Sequence, residues 1–205
     1  HPPALTRSAL TRTALILAAP ILTALLLPTP RAAQAAEPVD LELVLAVDSS
    51  ASVDYTEFNL QLQGLTLAFE DPELASAIAA GPFGAIAVTL IEWSSAERQA
   101  VSIPWTVLRN GEDARAFAGA ISAAPRLVIT GATSLSSSIL FAAGLFDAGA
   151  YEGTRRVIDL SGDGYNNQGT ALSIARELVV ERGITINAWR SKTRSPGWAT
   201  ISNRV

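Results

Sequence analysis

Residues 41–54 read Leu41-Glu42-Leu43-Val44-Leu45-Ala46-Val47-Asp48-Ser49-Ser50-Ala51-Ser52-Val53-Asp54, and this stretch decides the fold. The apolar run from Leu41 to Val47 is short and stops at an acid, as a buried parallel strand does. Small oxygen-bearing residues follow where such a strand gives way to a loop. Beyond them Tyr55, Phe58, Leu62, Leu65 and Phe69 recur at helical spacing, with Asp54 and Glu57 suited to the first turn. Asp71-Pro72 then breaks the helix or kinks it into a short continuation.

Working outward, Gly84 to Trp93 reads as a second apolar strand and Gln99 to Trp105 as a third. The link Ser94-Ser95-Ala96-Glu97 is so short that these two form an antiparallel hairpin. Helices are expected over Asp113 to Ala124, closed by Pro125, and over Thr133 to Phe146, entered through Gly131-Ala132-Thr133-Ser134. Arg155 to Leu160 is again strand-like and runs into Ser161-Gly162-Asp163-Gly164, a tight turn with glycine on both sides of an acid. Gly169 to Arg182 is helical, Gly183 stops it, and Ile184 to Trp189 is a last strand. Strands alternating with helices imply an α/β fold: a doubly wound, mostly parallel sheet with one antiparallel edge strand and helices on both faces. Ligands of such sheets bind beyond the carboxyl ends of the strands, where strand order reverses, and Asp48 and Asp163 both stand at strand ends.

Composition removes several functions. The chain has 205 residues, 49% of them hydrophobic, enough for one sizeable core and a single domain. A net charge of −4 offers no broad basic surface for nucleic acid or for an anionic membrane. Without cysteine there is no disulfide, thiolate metal site or cysteine nucleophile. The single histidine is His1, so neither a Ser-His-Asp triad nor a histidine-ligated zinc site fits a folded domain here.

Both ends differ in character from the middle. Arg7 and Arg12 precede an apolar run from Ala14 to Leu27, followed by Ala33-Gln34-Ala35-Ala36, so residues 1–36 read as a secretory signal peptide cleaved near Ala35 or Ala36. A spanning helix needs about 20 apolar residues, and Pro20 and Pro28 interrupt and close this run. The protein is therefore expected to be exported, periplasmic or extracellular, with no stable membrane insertion after cleavage. The domain itself is expected over residues 37–190. From Trp189 to Val205 the chain turns polar and irregular, which suggests a frameshifted tail over 191–205 and a fold truncated at its C-terminus.

Three separated loops supply small oxygen ligands: Asp48, Ser50 and Ser52, then Thr133, then Asp163. Hard cations such as Mg²⁺ take oxygen ligands and retain waters, so hydroxyls and a few carboxylates make a suitable incomplete shell. Asp-x-Ser-x-Ser at the end of a first strand resembles the metal-ion-dependent adhesion site of von Willebrand factor A domains. Thr133 in Gly131-Ala132-Thr133 matches that family's later threonine, and Asp163 matches its later aspartate. The likeness runs from about Val39 to Trp189 and looks closest to an uncharacterised exported bacterial branch. By that resemblance Ser50, Ser52 and Thr133 touch Mg²⁺ or Mn²⁺ directly. Asp48 and Asp163 hold its waters, and an acidic group from a protein or other ligand completes the shell.

Taken singly, the pieces have plainer readings. Asp48 or Ser50 alone reads as a helix N-cap, Thr133-Ser134 as another cap, and Ser161-Gly162-Asp163-Gly164 as a turn. Their joint occurrence at the ends of compatible elements favours a metal site. Trp93 and Trp105 read as strand-packing residues, while Tyr165, Asn166 and Asn167 either face a partner or form an exposed polar loop. The expected function is a metal-dependent binding module rather than an enzyme. The alternatives are a metal-dependent hydrolase or phosphotransferase with Asp48 as nucleophile, or a structural domain with a vestigial site. Serines replace the expected second aspartate of a phosphotransferase motif, and no lysine lies near the loops.

Overall fold

The computed structural model describes residues 35–148, 150–162 and 164–190. The leader expected over 1–36 lies almost wholly outside these residues, as do Asp163 and the tail 191–205. Among the described residues no helix is long and apolar enough to cross a membrane.

The chain enters through a short strand, β1 (Glu37–Val39), and continues into β2 (Leu41–Asp48). Helix α1 (Tyr55–Glu70) follows, and its start is written in the sequence. Asp54 accepts from the Glu57 amide at 2.8 Å while Glu57 accepts from the Asp54 amide at 3.1 Å, a reciprocal capping box. Asp71 ends α1 and caps α2 (Pro72–Ala79), with proline at the first helical turn, so the expected break becomes a second short helix. Strands β3 (Ile86–Trp93) and β4 (Gln99–Leu108) form the expected antiparallel hairpin, β4 running three residues beyond Trp105. Helix α3 (Gly111–Ser122) starts two residues earlier than its acidic pattern suggests, because Asn110 accepts from the amides of Glu112 and Asp113. Helix α4 (Leu135–Leu145) runs into a 3₁₀ turn over Phe146–Ala148. The chain then passes through β5 (Tyr151–Gly153), β6 (Arg156–Gly162), α5 (Leu172–Glu181) and β7 (Ile184–Arg190). Gly183, at φ 73°, supplies the left-handed residue that stops α5.

The main sheet has the order β4-β3-β2-β6-β7, with every pair parallel except β3 and β4. Side chains alternate across it. Leu45, Val47, Val88 and Leu90 pack toward Phe58, Leu62, Phe69 and Phe117, while Val44, Ala46, Trp93, Ile158 and Leu160 pack toward Ile139, Ala142 and Val179. The result is a three-layer α/β fold with a core on each face. From β2 the chain moves first to β3 on one side and later, through α4, to β6 on the other. Strand order therefore reverses at β2, and the loops after β2 and β6 meet beyond that reversal. The pair β1 and β5, parallel and three residues each, was not expected from the sequence.

Candidate metal centre

Asp48 closes β2 and is wholly buried, as are Ser49 and Ser50. The chain turns there because the Asp48 carboxylate accepts from the Ser50 amide at 2.8 Å, a side-chain turn open to a short acid. The hydroxyls of Ser50 and Ser52 lie 3.2 Å apart, and Val53 donates its amide to the Ser50 carbonyl at 3.0 Å. Ser52 is exposed, so the hydroxyl pair leads from the buried acid toward solvent.

A second loop comes up beside the first. Ala51 donates to the Gly131 carbonyl at 3.1 Å, which ties the Asp48–Ser52 loop to Gly131-Ala132-Thr133. Gly131 has φ 144°, and a Cβ there would meet the Ser94 hydroxyl at 2.7 Å, so glycine is required at this crossing. Thr133 is buried at the entrance to α4. Ser134 is the N-cap of α4, accepting from Ser137 at 3.3 Å, so the plainer reading is correct for that residue. The cap of α1 is Asp54, which leaves Asp48 and Ser50 outside that role.

The third loop locks onto the second. Thr133 donates its amide to the Asn167 side chain at 2.9 Å and accepts the Asn167 amide at 2.9 Å. Asn166 accepts from the Ser136 amide at 3.0 Å, and the Gln168 carbonyl accepts from the Ser134 hydroxyl at 2.9 Å. Asn166 and Asn167 are therefore braces for the Thr133 loop, a use that neither sequence reading foresaw. Tyr165 is 76% exposed beside them.

Asp163 itself lies outside the described residues, but both its neighbours are placed. A Cβ on Gly162 would stand 3.0 Å from an Asp48 carboxylate oxygen and 3.0 Å from the Trp93 ring. A Cβ on Gly164 would stand 2.9 Å from the Thr133 methyl and 3.0 Å from its hydroxyl. The glycines on either side of position 163 thus abut both earlier loops. The structure brings Asp48, Ser50, Ser52 and Thr133 onto one end of the sheet and the flanks of Asp163 against them.

The donor set suits a hard cation. The side chains at this end of the sheet are the hydroxyls of Ser50, Ser52 and Thr133 and the buried Asp48 carboxylate, the oxygen chemistry that hard cations take.

Two residues absent from the sequence reading hold this arrangement from behind. The Arg126 guanidinium reaches the carbonyls of Ser49, Ser50 and Val53, and Glu92, wholly buried at the end of β3, accepts from the amides of Leu127 and Val128. Tyr55, expected on the buried face of α1, is exposed and lies 5.6 Å from the guanidinium carbon. An acid such as Glu92 in a largely apolar strand, followed by a tryptophan, was the available signal, because an acid so placed must find donors.

The family described as Protein of unknown function (DUF1194) matches residues 38–200. The chain belongs to this family. Among solved structures it is similar to proximal thread matrix protein 1 (PTMP1) from the mussel byssus, at 17% identity and a TM-score of 0.55 over 75% of this chain. The chain spans 38% of that protein's length. One structure of the mussel protein is described as having a zinc-occupied MIDAS motif, that is, a metal-ion-dependent adhesion site. A von Willebrand factor type A protein from Catenulispora acidiphila aligns at 20% identity and a TM-score of 0.48, over 74% of this chain and 33% of that one. No curated protein matches the chain. This DUF1194 chain shares the fold of the mussel protein, a mostly parallel sheet with one antiparallel pair and helices.

Proposed function

We propose that this DUF1194 chain is a metal-dependent binding module that works outside the cytoplasm. Mg²⁺ or Mn²⁺ is held by Ser50, Ser52 and Thr133, with Asp48 and Asp163 balancing its charge. The ion supplies an electrophilic position that an acidic group on a protein or other ligand fills. The observation that carries this reading is the interlocking of loops at the strand-order reversal, which brings Ser50, Ser52 and Thr133 to the end of the sheet where the Asp48 carboxylate is buried. The leader-like residues 1–36 support an exported setting.

Binding is favoured over catalysis by Asp48. A carboxylate nucleophile must reach its substrate, whereas this side chain is wholly buried and engaged with the Ser50 amide. The exposed Ser52 and Tyr165 offer a face for recognition.

The test is the thermal unfolding midpoint of the full chain with EDTA, Mg²⁺ or Mn²⁺, beside Asp163→Ala. An ion that binds only the native state adds about 2.7 kcal/mol at a hundredfold excess over its Kd. A rise with metal in the wild type and none in Asp163→Ala is expected. A midpoint indifferent to both ions would leave a structural domain with vestigial loops.

A further inference from the structure

We propose that Arg126 is the positioning residue of the metal loop: its guanidinium gathers the backbone carbonyls of residues 49–53, so that the loop presents hydroxyls to the ion. This rests on the metal-binding reading above. One terminal nitrogen of Arg126 stands 3.0 Å from the Ser49 carbonyl, 3.3 Å from that of Ser50 and 2.9 Å from that of Val53. Its two N–H groups are thus shared among three acceptors, and what an ammonium could not add is a further donor, Nε, fixed in the same plane. The Nε of Arg126 adds 2.8 Å to the Ser49 hydroxyl, which itself donates to the Val128 carbonyl at 2.5 Å.

The guanidinium is held on its other sides as well. Its carbon lies 5.1 Å from the Phe58 ring centroid and 5.6 Å from that of Tyr55, both on α1. Glu92 takes the Leu127 and Val128 amides at 2.8 and 3.1 Å, so the backbone that carries Arg126 is tied to the end of β3. A wedge fixed to the sheet and to the helix therefore sets the path of the loop between them.

The chemistry explains why such a wedge matters. Backbone carbonyls are good ligands for hard cations, so a loop free to turn them toward the ion would offer a different and looser shell. Arg126 occupies three of those carbonyls and leaves the side-chain oxygens of Ser50 and Ser52. Its charge alone would work the other way, since a fixed cation next to a cation site repels the ion. The direction of the mutational effect therefore separates positioning from charge.

The experiment is calorimetric titration of Mn²⁺ into the full chain as wild type, Arg126→Lys and Arg126→Ala, each first shown to unfold cooperatively without metal. Positioning predicts that both variants bind more weakly, by about 10- to 100-fold as for other outer-shell partners of metal ligands. It predicts too that millimolar ethylguanidinium, but not ethylammonium, restores affinity to Arg126→Ala. Equal or tighter binding in Arg126→Lys and Arg126→Ala would overturn the proposal, as would a lower metal-free midpoint with affinity kept. If Arg126→Ala does not fold, Arg126→Lys decides, because it keeps an aliphatic stem and the charge is unchanged. A wild type that binds no Mn²⁺ would overturn the metal reading and this inference with it, whereas unaltered variants of a binding wild type would overturn this inference alone.

Discussion

A methyl group is the smallest change that tests the centre. Gly164 has no need of a left-handed backbone, so its identity is explained by space: a Cβ would press on the methyl and hydroxyl of Thr133. Threonine is branched at Cβ and stiff at χ1, so it cannot swing aside at little cost. Gly164→Ala is expected to keep the fold while displacing Thr133, and to shrink the metal-induced rise of the unfolding midpoint by at least half relative to wild type, a rough expectation from outer-shell effects. An undiminished rise would show that Thr133 is not a ligand. At this scale the sequence was informative where chemistry is local. Asp48, Ser50 and Ser52 stand out because small oxygens follow an apolar run, and Thr133 through the likeness of Gly131-Ala132-Thr133 to a family motif. Arg126 does not, because the loop residues it binds, Ser49, Ser50 and Val53, lie 73 to 77 residues away in sequence and an arginine after Pro125 carries no local mark.

Among the elements, α1 shows how local rules and tertiary packing divide the work. Its capping box is legible in Asp54 and Glu57, and Asp54→Ala is expected to lower the unfolding free energy by about 1 kcal/mol, measurable by urea titration. Because α1 begins directly after the metal loop, the same variant should also weaken the metal response. A loss of stability with an unchanged response would separate the helix start from the site. The apolar periodicity of α1 was right for Phe58 and Leu62 but not for Tyr55, since an aromatic ring at a helix start can serve a cation instead of the core. Strands β2, β3, β6 and β7 could be read from their apolar runs. The pair β1 and β5 could not, because three residues hold no period and their pairing joins positions more than a hundred apart.

At the scale of the whole molecule, Asp159 is a carboxyl held out of its ordinary range. Asp159, on β6, lines a cavity with Leu45, Leu60, Gln61, Leu65 and Ser161, and burial there pushes its carboxyl above the ordinary value of 3.8. A hydrogen bond from Asn187 at 2.6 Å opposes that shift and is the smaller effect. The folded state therefore holds this proton more tightly than the unfolded chain does. Its contribution to stability is complete below the unfolded value and is lost as pH rises through the folded one. Asp159→Asn keeps an oxygen for Asn187 and removes the charge, so its unfolding midpoint should exceed the wild type's at neutral pH and converge with it in acid. Parallel curves across that range would show that the carboxylate is solvated in the native state. The same cavity reaches the centre through Gln61, which donates to the Asp48 carbonyl at 3.1 Å and accepts from Ser161 at 2.7 Å. Finally, the three loops are drawn from positions near 50, 131 and 166, and the bonds that join them cannot exist until the polypeptide is synthesised past Gln168. An unfinished chain is on this account blind to metal, and the ion it acquires is set by the compartment in which folding ends rather than by the one in which translation begins.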